Sequence, residues 1–229
     1  MNKKIKNFQF LMPLVMLYIT VDLASLVYSY KEISLSFIIM MASSIIFPLT
    51  FIISDIVTEV YGYKIAKNMI WCGILCDFVF TILTYLVSLT PSPTANQYNA
   101  YYVVLNPLLR AITAQTLGIF IGAFTNIYCM SKWKVILKGK HFWLRSIASS
   151  IIGEGFALII SVLIALGGIL SIKTIMYVIL YAYIYKMVFA VFVSPIGQMI
   201  AQLLKEKEGI DVYSYDKELN PFKDLIRAN

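Results

Sequence analysis

Phe47-Pro-Leu-Thr-Phe-Ile-Ile-Ser-Asp-Ile-Val-Thr-Glu-Val-Tyr-Gly-Tyr-Lys-Ile-Ala-Lys67 is the stretch on which the reading of this chain turns. It begins as the end of an apolar run and finishes in a basic turn holding Lys64 and Lys67. Between them stand two carboxylates, Asp55 and Glu59, with Ser54 and Thr58 beside them. Residues at that spacing share one face of a helix, a turn apart. Gly62 stands where a helix stop is expected. An acidic pair at the edge of an apolar segment is costly to hold in lipid, so it predicts burial in protein or in a wet cavity.

Working outward, the chain has 229 residues, 60% of them hydrophobic. Soluble domains hold roughly 45–50% apolar residues. The excess comes in blocks, each close to or above the roughly 20 residues that cross a bilayer as a helix. The prediction is an all-α polytopic membrane protein with six transmembrane helices, at about residues 8–28, 34–56, 68–89, 105–129, 142–170 and 175–204. The first block follows Lys3, Lys4 and Lys6. It is too long for a signal-peptide core and ends in no small-residue cleavage site, so it reads as a retained span. Residues 1–204 form the membrane domain, and 205–229 a short mixed-charge tail. The stretch 90–104, with Pro91 and Pro93, reads as a surface loop.

The formal net charge of +7 is placed between the apolar blocks, most densely at Lys132, Lys134, Lys138, Lys140 and Arg145. That is the pattern of cytoplasmic membrane loops rather than a nucleic-acid surface, and it puts both termini in the cytoplasm. Cys72, Cys76 and Cys129 lie in apolar runs and make no disulfide framework. One histidine, His141, supports neither a His-based metal site nor a catalytic triad. No phosphate loop with a following Lys-Ser or Lys-Thr, no nucleophile elbow and no zinc-protease helix is present. The expectation is therefore not an enzyme, with no ATPase of its own and no cofactor or metal.

What asks for an explanation is the set of ionisable residues within or at the ends of the spans: Asp22, Asp55, Glu59, Asp77, Arg110, Glu154 and Lys186. Each one near the midplane costs about 2.5–3.5 kcal/mol on insertion scales. Counting along the helices puts Asp77, Glu154 and Lys186 deepest. Glu154 and Lys186 are expected to pair. The plainer reading is that such pairs only lock the bundle, and that Asp55 and Glu59 cap a helix or face headgroups. The functional reading is a polar pocket, with Asp55, Glu59, Asp77 and Asp22 as coupling or gating candidates. Ala114, Gly118 and Gly122 predict a close helix approach. Ser146, Ser150, Glu154, Ala157 and Ser161 mark a polar and small face. Lys186, Ala190, Ser194, Gln198 and Gln202 step by fours, with a kink expected at Pro195.

Two stretches carry a resemblance. Residues 47–64 closely resemble the signature of the queuosine precursor transporter family, membrane proteins akin to vitamin uptake transporters. Gly139-Lys-His-Phe-Trp-Leu-Arg-Ser-Ile-Ala-Ser-Ser-Ile-Ile-Gly-Glu-Gly155 is similar to that family's K-G-x-x-x-W-x-R-T-I-x-S-T-x-x-G-E segment. Arg110, Asn126, Lys186 and Pro195 also fall where the family tends to have such residues. The resemblance implies a six-span importer in the bacterial inner membrane. Its cargo would be 7-deazaguanines such as preQ0, preQ1 or queuine, precursors of a modified tRNA base.

A deazaguanine edge offers adjacent N–H donors to a carboxylate. Its carbonyl calls for a Lys, Arg or Asn donor, and its ring for an aromatic face. Glu154, Lys186, Arg110 and Asn126 are the substrate-binding candidates on this resemblance. The chain departs from the family at Ala157, where an Asp is common; if that acid touches cargo or a coupling proton, this chain prefers another precursor or works differently. The competing reading is a solute-binding membrane subunit for another vitamin or base, energised by a separate ATPase. Association into a homo-oligomer is left open.

Overall fold

A computed structural model describes residues 8–35, 38–91, 93–215 and 218–222. The lysines of the first seven residues lie outside them. Helix α1 (Leu11–Val27) leads into a hairpin of β1 (Glu32–Leu35) and β2 (Ile38–Met41). The one-turn α2 (Ser43–Ile46), α3 (Pro48–Tyr61) and α4 (Tyr63–Ser88) follow. The short α5 (Ala95–Leu105) precedes α6 (Leu108–Ile136), α7 (Phe142–Leu166) and α8 (Ile172–Glu208). The chain is an all-α polytopic membrane protein. Among the described residues, five helical segments are long and apolar enough to cross a membrane, and α1 is a shorter apolar helix.

The helices are arranged with their polar residues inward. Helix α4 buries Asp77 and Thr81 while Leu75, Ile82, Leu83 and Leu86 are exposed. A water-soluble helix does the reverse. Lipid is as apolar as leucine, so these outer faces lose nothing by facing it. Helices α6 and α7 make the most extensive pairing. At their crossing, a Cβ on Gly122 would stand 2.4 Å from the Gly153 carbonyl oxygen and 2.5 Å from the Ala157 Cβ. Only glycine allows that approach, and the predicted small-residue stripe packs as expected.

Several boundaries differ from the sequence reading, each for a local reason. The span expected at 34–56 loses its first part to the hairpin, which pairs Glu32 with Met41 and Leu35 with Ile38. A short apolar run is ambiguous between strand and helix. The crossing segment instead runs from Ser43 to Tyr61. The basic turn at 61–67 shrinks to Gly62, whose φ of 86° ends α3 and starts α4. Lys67 is accordingly buried within α4. The expected loop at 90–104 contains α5, and α6 continues through Lys132 and Lys134.

The α8 stripe drifts: Lys186, Ala190 and Ser194 are buried, but Gln202 is exposed and Ala201 takes its place. Steps of four overshoot a 3.6-residue turn by roughly 40° each. Pro195 lies inside α8, which runs on past it. The tail does not hang free. The Val212 amide donates to the Val60 carbonyl at 3.2 Å, and the Tyr63 amide to Ser214 Oγ at 3.0 Å. At the same end, the Phe10 amide donates to Glu208 Oε1 at 2.8 Å. The entry to α1 and the exit of α8 therefore sit side by side.

Candidate functional site

A cleft opens between α1, α2, α6, α7 and α8. Its polar lining comes from Ser25, Ser29, Ser43, Ser44, Gln115 and Lys186, with Phe47 and small residues of α6 and α7 supplying the apolar wall. Lys186 Nζ stands 4.7 Å from the centroid of the Phe47 ring and 3.6 Å from Glu154 Oε2. The expected Glu154–Lys186 pair is thus present, and both residues are buried. Glu154 itself lines a smaller pocket behind Lys186, together with Ser146, Ser150, Phe189 and Ser194.

Below it the polar column continues. Ser146 Oγ donates to Asp55 Oδ2 at 2.6 Å, and Asn126 Nδ2 to Asp55 Oδ1 at 2.6 Å. Asp55 is fully buried, which excludes the headgroup reading for it. One turn further along α3, Glu59 is enclosed by three cations. Arg145 Nη1 lies at 2.9 Å, Lys205 Nζ at 2.6 Å and Lys134 Nζ at 3.9 Å. The Lys134 ammonium also donates to the Glu59 carbonyl. Asp211 of the tail joins this cluster, 2.6 Å from Lys134 and 2.9 Å from Lys205. Partial burial works to raise the Asp211 carboxyl, but hydrogen bonds and charge from Lys134 and Lys205 hold it below its ordinary range. Glu59 is buried too, so it caps no surface.

A second polar group branches from the cleft. Gln115 Nε2 donates to Asp22 Oδ1 and to Asp77 Oδ2, at 3.0 Å each. The residues singled out from the sequence therefore separate. Lys186 lines the cleft and Glu154 lies behind it. Asn126 is engaged by Asp55. Arg110 is exposed near the cleft mouth, where its guanidinium donates to the carbonyls of Ile164 in α7 and of Gly167 just after it. Asp22 and Asp77 share Gln115, and Asp55 and Glu59 belong to the lower column.

Gln115, Phe47 and the cleft serines were not singled out. Gln115 follows Ala114 of the small stripe, and a mid-helix glutamine was a signal available there. Ala157 lines the cleft and also meets Gly122, which restricts what its side chain can be.

A buried polar column meeting a cleft inside an apolar bundle is the construction of a membrane carrier or solute-binding protein. The family comparison agrees. The model of the family described as "putative vitamin uptake transporter" matches residues 41–200, and the chain belongs to that family. It is a multi-pass membrane protein of a transporter family. No curated protein and no solved structure matches the chain.

Proposed function

We propose that this protein imports queuosine precursors, 7-deazaguanines such as preQ0, preQ1 or queuine, across the bacterial inner membrane for tRNA modification. The observation that carries the reading is the cleft that joins Lys186, Phe47 and Gln115. A flat heterocycle with a carbonyl, ring nitrogens and an exocyclic amine needs those elements. The Lys186 ammonium donates to the carbonyl, and the Gln115 amide and serine hydroxyls meet the nitrogens. The Phe47 ring packs on the face of the base.

On binding, the base intrudes on the Lys186–Phe47 contact, so cargo and the Glu154–Lys186 pair are linked. Glu154 then stands between the cleft and the column through Ser146 and Asp55. With the basic end at Lys134, Arg145 and Lys205 placed in the cytoplasm by the positive-inside rule, the cleft lies on the outer side. The resemblance at residues 47–64 and 139–155 supports the deazaguanine class. Both segments build the column: Asp55 and Glu59 lie in the first, Arg145, Ser146 and Glu154 in the second.

The test is complementation. The chain is expressed in cells that neither make nor import queuosine precursors. PreQ0, preQ1 and queuine are supplied singly, and queuosine is measured in tRNA. Restoration by at least one is expected. No restoration by any, with the protein folded in the membrane, overturns the proposal. Uptake only when an ATPase module copurifies would indicate the solute-binding subunit instead.

A further inference from the structure

Asp22 and Asp77 take no part in the column through Asp55 and Glu59. They sit on α1 and α4, and the hydrogen bonds that join them both come from Gln115 of α6. Each is 1% exposed. One nitrogen reaching both carboxylates puts them within about 6 Å of each other, a range at which like charges act strongly. Among the described residues no cationic side chain bears on either. The remaining oxygens, Asp22 Oδ2 and Asp77 Oδ1, are buried without a partner.

A further, independent oxygen is orphaned beside them. Thr81 Oγ1 is buried and has no partner. Thr81 stands one turn beyond Asp77 on α4. Helical side chains lean toward the N-terminus, so the Thr81 side chain lies over the turn that carries Asp77. In apolar surroundings, buried polar atoms normally find partners. Three orphaned oxygens together, two of them on carboxylates, make a set of acceptors awaiting a positive charge. The other titratable groups facing the pair are Tyr18 of α1 and Cys76 of α4, neither of them cationic.

We infer that Asp22 and Asp77, bridged by Gln115 and joined by Thr81, form a binding site for a small monovalent cation, a proton or Na+, linked to the solute cleft through Gln115. The linkage is geometric, because Gln115 both lines the cleft and holds the two carboxylates. A solute that recruits the Gln115 amide loosens its grip on the pair, and a cation that neutralises the pair releases the amide to the solute. Occupancy of one site then favours the other, reciprocally. The coupling rests on the transport reading above, whereas the cation site does not.

The first test therefore needs no solute. Purified full-length chain is thermally unfolded in NaCl and in choline chloride at equal ionic strength, from acidic to alkaline pH. A bound cation stabilises the folded chain. If Na+ is the occupant, it raises the melting temperature of the wild type, and the rise is lost in Asp77→Asn and weakened in Thr81→Val. If a proton is the occupant, Na+ has no effect, and Asp77→Asn removes a pH-dependent part of wild-type stability that Thr81→Val keeps. Responses to Na+ and to pH that are the same in Asp77→Asn as in wild type overturn the site. Should Asp77→Asn not accumulate as folded protein, Asp22→Asn is read in its place.

The second test uses proteoliposomes, preQ1 and an imposed gradient of the cation so identified. Gradient-driven uptake is expected to fall about tenfold in the Asp→Asn variant, within the usual range of coupling between sites. Undiminished gradient-driven uptake overturns the coupling. A cation response with no uptake of preQ1 by the wild type supports the cation site and counts against the proposed cargo instead.

Discussion

Glu59 and Arg145 form a buried ion pair, 2.9 Å between oxygen and nitrogen, that ties the end of α3 to the start of α7. Lys205 closes on the other carboxylate oxygen at 2.6 Å. Removing Glu59 leaves Arg145 buried without its ion-pair partner, and Lys134 and Lys205 with Asp211 alone. Breaking a buried pair from one side costs about 3–5 kcal/mol. Glu59→Ala is therefore expected to lose most of its folded protein, read as the monodisperse fraction in size exclusion after membrane extraction. Arg145→Lys keeps the charge but not the guanidinium geometry, which also donates to the Lys140 and Met130 carbonyls. It should fall between wild type and Glu59→Ala.

The tail carboxylate Asp211 gives a pH prediction with a definite sign. Lys134 and Lys205 hold it below the ordinary 3.8, against the effect of partial burial. A depressed carboxyl contributes stability that is fully present above its unfolded value and lost as pH falls through the folded one. Wild type should melt above Asp211→Asn by a constant margin at neutral and mildly acidic pH. The margin should shrink only below the ordinary carboxylate range. Because Asp211 is substantially exposed, the margin should be small and should narrow in high salt. A margin that disappears already near neutral pH would mean the tail is not latched through this residue.

The α6–α7 crossing gives a packing prediction. Gly122→Ala introduces a methyl group 2.4 Å from a backbone oxygen, where no side-chain rotation can relieve it. Overpacking of this kind costs about 1–3 kcal/mol. Gly155→Ala serves as the contrast on another face of α7, the one turned to α8. Its new methyl meets the far end of the Tyr183 ring at 3.3 Å, which can give way. Thermal unfolding should show a clear loss for the first and little for the second.

What was legible in the sequence was what composition and helical spacing encode. Ionisable residues in apolar runs call for burial, and Asp22, Asp55, Glu59, Asp77, Glu154 and Lys186 are buried, whereas Arg110 is exposed. The depth of Glu154 and Lys186 was enough to anticipate their pairing. Partners across the fold were less accessible. The hydrogen bond from Asn126 to Asp55 is one case, because which helix faces which is set by tertiary packing and not by position along a span. Gln115 carries no charge and so falls outside a search for ionisable residues, yet it joins two carboxylates and the cleft. The β1–β2 hairpin was hidden for the opposite reason: its residues are as apolar as those of a span.

The Glu154–Lys186 pair allows architecture and transport to be separated. Lys186→Met leaves Glu154 buried without its countercharge, and Glu154→Gln does the same to Lys186. Each single change should lower stability, by about 3–5 kcal/mol if the orphaned group stays charged. The double change Glu154→Gln with Lys186→Met removes both charges, and neutral replacement of a buried pair is often harmless to folding. Folded protein in the double variant should therefore recover above either single one. Queuosine formation from supplied precursor should not recover, since the cleft has lost the Lys186 donor. Recovery of both would reduce the pair to a structural lock. Recovery of neither would mean that each side chain has further partners in the fold. Recovery of folding alone is what a donor needed by the cargo requires.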